Sequence, residues 1–314
     1  MSRNIAMVMD LGGTKIKLGL VKDGKILCTA DTNANSKNGL SERLPVIKNL
    51  MNDLLAQSGI NLNDVAGIGI SIPGIVDSKQ KKILSIDNKF NDAPALDLSA
   101  WAYENWQIQI QLENDARSAL IGEWQYGKGK GYDNVVLMTI GTGVGSSAVI
   151  EGKVLRGKHF QAGCLGGHFT ININGQKCNC GNYGCVEVEA STWNIERIAK
   201  ASGDFHSSVL AAENKIDFES IFRCAANKDA LAMRLRDQCI DVWGACAVNL
   251  IHAYDPEILI VSGGVMASAG YIIPHLQNKV NEHAWTPWGK VKIEAAENIN
   301  TAALLGVAYI VFNS

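Results

Sequence analysis

The chain has 314 residues, which at roughly 100–200 residues per domain predicts two lobes. Apolar residues make up 47% of the sequence and charged residues 19%, a balance typical of a globular protein with a sizeable core. The net charge of −2 argues against a nucleic-acid-binding surface, which would carry a basic stripe, so a small molecule is the expected partner. No signal peptide or membrane span is recognisable, and we expect a cytoplasmic protein with reduced thiols.

The first part of the chain alternates short apolar runs with turn residues. The predicted elements are strands over 5–10, 15–21 and 25–31, a helix over about 40–57, a strand over 65–72, a helix near 97–106 and a strand over 108–112. The Asp-Gly pair of KDG between the second and third strands is typical of a two-residue hairpin turn. These elements predict an antiparallel hairpin region that continues into strand–helix units.

The second part repeats this architecture. MVMDLGGTKIKLGLVKDGKIL and VLMTIGTGVGSSAVIEGKVL both read as strand, glycine loop, strand, tight turn and strand. The later predicted elements are helices over about 191–202, 217–226 and 229–254, a strand over 257–264, a helix, a strand over 290–296 and a helix over 301–312. Two similar halves of mixed strands and helices predict an α/β protein with two lobes and a cleft between them.

Three glycine turns follow predicted strands. Glycine lets the backbone approach a phosphate closely and aim N–H groups at it. The turns are Asp10-Leu11-Gly12-Gly13-Thr14, Gly141-Thr142-Gly143 and Gly263-Gly264. Asp10 stands where it could hold a magnesium ion through water. The alternatives are ordinary hairpin loops for the first two turns and a strand-to-helix turn for the third.

An acidic motif, Glu113-Asn114-Asp115-Ala116, ends the strand over 108–112 and begins a predicted helix. Asp115 could act as a general base at the predicted cleft, because a phosphoryl acceptor needs a carboxylate within hydrogen-bonding reach. The competing interpretation is a helix N-cap, which would suit Asn114 or Asp115. Local sequence alone favours the cap.

Three cysteines fall within CNCGNYGCVE (178–187). Cys178, Cys180 and Cys185 have a spacing that suits a knuckle folded around one ion, and structural zinc sites have four Cys or His ligands. Either His168 or Cys164 could be the fourth ligand. An iron–sulfur cluster is the alternative.

Together these motifs resemble the ROK family of sugar kinases and sugar-responsive repressors, from about residue 5 to the C-terminus. The matching segments are DLGGTKIK (10–17), SIPGIVD (71–77), ENDA (113–116), GTGVG (141–145) and CNCGNYGCVE (178–187). The resemblance implies an α/β fold of the actin/hexokinase/Hsp70 group, a two-lobed actin-like ATPase (ribonuclease H-like) fold. The implied lobes are residues 1–116 with 300–314, and 117–299 with the zinc knuckle.

The resemblance also implies a role for each matching residue. Asp115 would deprotonate the 6-hydroxyl of a sugar. The residues that would bind the sugar are Asn88, Asn114, Asp115, His168 and Glu187. Those around ATP and Mg²⁺ would be Asp10, Gly12, Gly13, Thr14, Gly141, Thr142, Gly143, Gly263 and Gly264. The implied ligands of a structural Zn²⁺ are His168, Cys178, Cys180 and Cys185, and a homodimer is expected.

One position departs from the family pattern. The loop before the metal-site histidine usually reads GExGH, and here Leu165 stands at the place of its sugar-binding Glu. The leading prediction is therefore an ATP-dependent hexose kinase of the glucokinase type, with an N-acetylhexosamine or other hexose as alternative substrate. A sugar-binding protein with weakened catalysis is a second prediction. A transcriptional regulator is a third, although only nine residues precede Asp10 and leave no room for a helix-turn-helix segment there.

Overall fold

The structure is a computed structural model that describes residues 3–314, so the first two residues of the predicted small lobe lie outside the described residues. The chain forms two compact units. The first contains the residues up to Gly131 together with Arg156–Ala162 and Asn300–Ser314, and the second contains Tyr132–Leu155 and Gly163–Ile299.

The elements follow the predicted order. The strands are β1 (Ile5–Leu11), β2 (Lys15–Lys22), β3 (Lys25–Asn33), β4 (Val65–Ile72), β5 (Ile75–Asp77), β6 (Lys82–Ser85), β7 (Ile110–Asn114), β8 (Val135–Ile140), β9 (Val144–Ile150), β10 (Lys153–Val154), β11 (Ile258–Ser262) and β12 (Lys292–Ala295). The α-helices are α1 (Leu44–Ser58), α2 (Leu98–Trp106), α3 (Asp115–Tyr126), α4 (Val186–Glu189), α5 (Thr192–Lys200), α6 (Phe218–Ala226), α7 (Ala230–Tyr254), α8 (Ala269–His283) and α9 (Ala302–Phe312).

The sheet of the first unit has the order β3-β2-β1-β4-β7. The strands β1, β2 and β3 are antiparallel, whereas β1, β4 and β7 are parallel. Asp23 and Gly24 both have positive φ angles, as the predicted two-residue hairpin turn requires. The carboxyl ends of the three parallel strands share one edge of the sheet, and this edge carries the aspartates of the predicted site.

The sheet of the second unit has the order β10-β9-β8-β11-β12, the same arrangement of antiparallel and parallel neighbours. Its tight turn, at Glu151 and Gly152, also has two positive φ angles. The predicted internal repetition of architecture is thereby confirmed. The fully buried Trp243 of α7 lies in the core of this unit and donates a hydrogen bond to the backbone oxygen of Ala190.

Helix α9 completes the first unit because it packs on α3 and on the face of β1 and β4. Two glycines allow the helices to approach: a Cβ on Gly122 would collide with the backbone of Ala302, and one on Gly306 with that of Ser118. The close packing of α9 on α3 therefore depends on direct contact between the backbones of the two helices.

Two boundaries differ from the prediction. The helix expected from about residue 40 begins at Leu44, with Pro45 in its first turn, where the missing N–H of proline costs no hydrogen bond. The compact units also divide the chain elsewhere than the predicted lobes, 1–116 with 300–314 and 117–299, because α3 packs against α9 and stays with the first unit. Within residues 3–314, no helix combines the length and apolar character needed to cross a membrane.

Candidate active site

Asp10 lies near the end of β1, beside Ser71 at the end of β4 in the parallel register. The Ser71 hydroxyl donates a 2.8 Å hydrogen bond to Asp10 Oδ1. Burial raises the pKa of Asp10 from its ordinary value of 3.8 to about 6, and the negative charge of Asp115 contributes to the rise. The Ser71 hydrogen bond opposes it. The structure thus brings two of the predicted site carboxylates close together on the first unit.

The first glycine loop, Gly12 to Thr14, is fixed by backbone contacts. A Cβ on Gly12 would lie 2.8 Å from the backbone oxygen of Lys15, so a side chain there would require the loop to move. Ser36 Oγ donates to the oxygen of Gly13, and the N–H of Ala34 donates to the oxygen of Thr14. The loop therefore keeps a fixed shape.

The hydrogen bonds at the start of α3 show which residue of the acidic motif caps the helix. Asn114 is the N-cap, and its side-chain oxygen accepts from the N–H of Arg117. Asp115 Oδ1 accepts hydrogen bonds from Asn114 Nδ2 at 3.0 Å and from the N–H of Ala116 at 2.8 Å. The cap is thus Asn114, and Asp115 is oriented by two donors while remaining partly exposed.

A buried ion network supports this motif. Glu113 and Arg117 have fully buried side chains, and Arg156 contacts Glu113 Oε2 at 2.8 Å. Glu113 Oε1 also accepts from the N–H of Asn114. Arg117 donates to the backbone oxygens of Phe160 and Ala162. The segment Arg156–Ala162, which sequence reasoning did not associate with the site, is therefore attached to the residues that hold Asp115.

Asn88 lies in a turn of the first unit with a positive φ of 59°. Its Nδ2 donates a 2.7 Å hydrogen bond to Asp87 Oδ2, and its side chain is exposed. Its assignment to sugar binding stays a prediction.

In the second unit, two of the glycine turns lie at the ends of the neighbouring parallel strands β8 and β11. Gly263 has a φ of 98°, and a Cβ there would collide with the backbone oxygen of Ile140, next to the loop Gly141–Gly143. Residues at the start of α5 also hold this loop, because the N–H groups of Thr192 and Trp193 donate to the oxygens of Gly141 and Thr142. The predicted nucleotide residues of this unit are thus adjacent.

Glu187 lies in the first turn of the short helix α4 and contacts the same loop. Its Oε2 accepts a 3.0 Å hydrogen bond from the N–H of Val144 and lies against Gly143, where a Cβ would collide with it. The cysteine motif is therefore joined to the second glycine loop through the side chain that closes the motif. This link was not foreseen from the sequence.

The three cysteines of the motif meet one histidine. The donor atoms of His168, Cys178, Cys180 and Cys185 all lie within 4.8 Å of one another. Cys180 Sγ and Cys185 Sγ are 3.7 Å apart, and His168 Nδ1 is 3.8 Å from Cys178 Sγ. For Zn–S bonds near 2.3 Å, two thiolates of a tetrahedral zinc site are about 3.8 Å apart. The donor set and its spacing fit a zinc ion.

Local backbone geometry produces this knuckle. Gly181 and Gly184 have φ angles of 91° and 58°, and a Cβ on Gly184 would collide with the backbone of Asn172. Burial raises the pKa of Cys185 to about 12, so its thiol is protonated at neutral pH unless a cation replaces the proton. None of the cysteines in residues 3–314 is in a disulfide. The cluster of four donors contains His168 and not the alternative Cys164, and the assignment of His168 as a zinc ligand stays a prediction.

Leu165 directly precedes the Gly166–His168 turn, and its side chain is 36% exposed. An aliphatic side chain cannot accept a hydrogen bond from a sugar hydroxyl, so the family's acidic function is absent at this position. Ser71 was also missed as a partner of Asp10, although it belongs to the quoted SIPGIVD segment. Its position at a strand end was the available signal.

Comparison with known proteins identifies one matching family and several similar proteins. The ROK family profile matches residues 6–314. A glucokinase from Thermotoga maritima is 31% identical over 310 residues, 96% of each chain. The crystal structure of a ROK family glucokinase from Streptomyces griseus, in complex with glucose and AMPPNP, is 26% identical with a TM-score of 0.80, covering 99% of this chain and 100% of the other. The xylose repressor of Bacillus subtilis is 26% identical over 71% of this chain and 54% of the repressor.

These similarities confirm the predicted α/β fold of the actin-like ATPase group. They join this chain to sugar kinases and also to a repressor.

Proposed function

Since the chain belongs to the ROK family, we propose that it is an ATP-dependent sugar kinase that phosphorylates the 6-hydroxyl of a glucose-type hexose. The observation that carries the proposal is the arrangement of Asp115. Asn114 caps the helix, which leaves the Asp115 carboxylate oriented by two hydrogen bonds and available to a substrate.

Asp115 acts as the general base in this proposal. It accepts the proton of the sugar 6-hydroxyl as the oxygen attacks the γ-phosphate of ATP, and the O–P bond forms as the bond to the leaving ADP breaks. The neighbouring Asp10 has a different role in the proposal, because it would hold Mg²⁺ rather than accept a proton. Burial raises the pKa of Asp10, and a bound cation would favour the ionised form of this carboxyl.

Mg²⁺ would be held near Asp10 through water, and bound Mg²⁺ neutralises charge on the phosphates. The glycine loops at Gly12–Thr14 and Gly141–Gly143 present backbone N–H groups to those phosphates. The turn at Gly263 and Gly264 lies beside the second loop. This position supports the proposal that the two glycines contact the nucleoside part of ATP. The similarity to a glucokinase bound to glucose and AMPPNP supports these assignments.

The cysteine knuckle has a structural role in the proposal. Four protein ligands leave no open position on a tetrahedral zinc ion, so zinc shapes the protein and takes no part in phosphoryl transfer. His168 would hold the ion through the ring nitrogen nearer Cys178, Nδ1, and would offer Nε2 to a sugar hydroxyl. Glu187 would offer Oε1, while its Oε2 accepts the hydrogen bond from the N–H of Val144. Asn88 and Asn114 complete the proposed set of sugar ligands.

An ADP-release assay with ATP, Mg²⁺ and a panel of hexoses tests this function. We expect turnover with at least one hexose and formation of its 6-phosphate. Asp115→Asn should lower kcat by about 10²- to 10⁴-fold, because a general base contributes about that factor. The same variant should bind the sugar with nearly unchanged affinity, since the amide retains the size of the carboxylate. Full activity of Asp115→Asn would show that the base is another group.

Leu165 favours a second candidate substrate. Its apolar side chain stands where the family pattern has a hydroxyl-binding acid, so the pocket is proposed to accept a 2-substituted sugar such as an N-acetylhexosamine. Comparing kcat/KM for glucose and the N-acetylhexosamines decides between the two. Binding without turnover on every sugar would instead indicate a sugar-binding protein with weakened catalysis.

The predicted homodimer and cytoplasmic location stay predictions. Light scattering on the purified chain measures its mass directly and tests the dimer.

A further inference from the structure

A lysine side chain lies across the first glycine loop. A Cβ built on Gly13 would lie 2.8 Å from Lys89 Cδ, 3.0 Å from Cε and 3.4 Å from Nζ. The ammonium group is therefore next to the backbone of the loop that includes Gly12, Gly13 and Thr14. Lys89 was not assigned a role from the sequence, although it directly follows Asn88, one of the predicted sugar ligands.

The turn that carries Lys89 is fixed on both sides. Asn88 and Phe90 have positive φ angles of 59° and 47°, which are costly for residues other than glycine. Phe90 is fully buried, and its N–H donates a 2.7 Å hydrogen bond to the oxygen of Ser36. Ser36 Oγ in turn donates to the oxygen of Gly13. The lysine turn and the glycine loop are thus connected through one serine.

The other lysines near this loop are engaged elsewhere. Lys15 forms a 2.8 Å ion pair with Asp31, and Lys17 donates to the backbone oxygen of Asn300. Lys89, by contrast, has no ion pair in the part of the chain that the structure describes, and its side chain is half-buried. An uncompensated cation on a glycine loop is suited to an anion.

We infer that Lys89 binds the transferred phosphoryl group at the first glycine loop. This inference rests on the proposed kinase function and adds a residue to it. Negative charge on the three outer oxygens of the transferred group must be stabilised during transfer, and a positioned ammonium supplies a charge-assisted hydrogen bond. The adjacent Asn88 is one of the proposed sugar ligands. The same short turn would therefore bind the sugar through Asn88 and the transferred phosphoryl group through Lys89.

The main test replaces the charge and retains the length of the side chain. Lys89→Met should lower kcat by about 10²-fold with little change in the KM for the sugar, and Lys89→Arg should recover part of the loss. The matched control is Lys82→Met, an exposed lysine of β6 in the same unit, which should retain wild-type kinetics. Unchanged kcat and kcat/KM in Lys89→Met would overturn the inference.

Nucleotide binding provides a readout that does not depend on turnover. By calorimetry with Mg²⁺, Lys89→Met should weaken binding of AMPPNP about ten- to a hundredfold and binding of ADP by less than about threefold, because only AMPPNP has a γ-phosphoryl group. Equal losses for both nucleotides would assign Lys89 to another phosphate and overturn the inference. A protein that turns over no hexose and still shows this difference would contradict the proposed function but support the role of Lys89.

Gly13→Ala supplies an independent check. The added methyl group would displace the Lys89 side chain while Gly13, whose φ is not positive, tolerates alanine in its backbone. Gly13→Ala should therefore reduce AMPPNP affinity in the wild type and reduce it much less in a Lys89→Ala background. Equal effects in both backgrounds would show that the lysine does not act at this loop. Circular dichroism of every variant verifies the fold before binding is compared.

Discussion

Asp10 illustrates, for a single side chain, a conflict between folding and ligand binding. Its carboxylate is desolvated near the end of β1, and Ser71 provides a hydrogen bond that offsets only part of the cost. Its pKa in the folded protein, about 6, lies above its ordinary value of 3.8, so the folded state loses stability as the pH rises through this interval. The ionised carboxylate of Asp10, which is proposed to hold Mg²⁺, therefore destabilises the folded protein when no cation is bound.

We predict that Asp10→Asn is more stable than the wild type at pH 7.5 in Mg²⁺-free buffer, by about 1–3 kcal/mol. The amide carries no charge to desolvate and still accepts the Ser71 hydrogen bond. The gain should shrink below pH 4, where the wild-type carboxyl is protonated in both states. Urea denaturation at several pH values measures it. The control is Asp31→Asn, an exposed position, and lower stability of Asp10→Asn at pH 7.5 would contradict the prediction.

Glu187 has two separable contacts in the proposal, and two substitutions distinguish them. Glu187→Gln retains an oxygen for the Val144 N–H, so we expect it mainly to raise the KM for the sugar. Glu187→Ala leaves that N–H unpaired, at a cost of about 1–3 kcal/mol, and should also raise the KM for ATP because the Gly141–Gly143 loop loses its support. Steady-state kinetics with both substrates measures the difference. An unchanged KM for ATP in Glu187→Ala would show that the loop does not need this contact.

At the scale of elements, the cysteine knuckle is a loop that brings four potential metal donors together and contains two glycines with positive φ angles. We predict about one zinc ion per chain and loss of that ion in Cys180→Ser. Because binding of a structural zinc is coupled to folding, this variant should lose several kcal/mol of unfolding free energy. Metal analysis and thermal denaturation measure both effects. Cys28→Ser, in the other unit, is the control and should retain zinc. Zinc-free wild-type protein with an intact fold would contradict the prediction.

The strands, the glycine loops and the knuckle could be predicted because each depends on local sequence. The Asp-Gly turn, for example, needs only two residues with positive φ. The role of Asn114 as a cap could not be separated from that of Asp115, because the choice depends on which side chain reaches the N–H of Arg117. The position of Lys89 over Gly13 depends on contacts between residues far apart in sequence, which no local pattern encodes.

For the whole molecule, the two units have the same sheet order. They differ in the segments from distant parts of the sequence that pack against each sheet. The first unit receives Arg156–Ala162, whose Arg156 pairs with the buried Glu113. This segment supports the site motif without belonging to it in sequence.

We predict that Arg156→Met lowers the unfolding free energy by about 1–3 kcal/mol, less than for a fully isolated buried charge because Arg117 still lies 3.6 Å from Glu113. Adding Glu113→Gln should restore part of the loss, because the carboxylate that Arg156 neutralised is then uncharged and Arg117 keeps its hydrogen bonds to the backbone oxygens of Phe160 and Ala162. Denaturant titration of the single and double variants measures both effects. A double variant as unstable as the sum of the single variants would contradict the ion-pair explanation.

Helix α9 has a consequence for biosynthesis. It covers the face of β1 and β4, yet its residues are translated after every residue of the second unit. During vectorial synthesis most of the first unit is made early, but it cannot finish its core until residues 300–314 have been made. The unit that begins first is therefore finished last, and the apolar sheet face that α9 covers stays unprotected until this helix has been made.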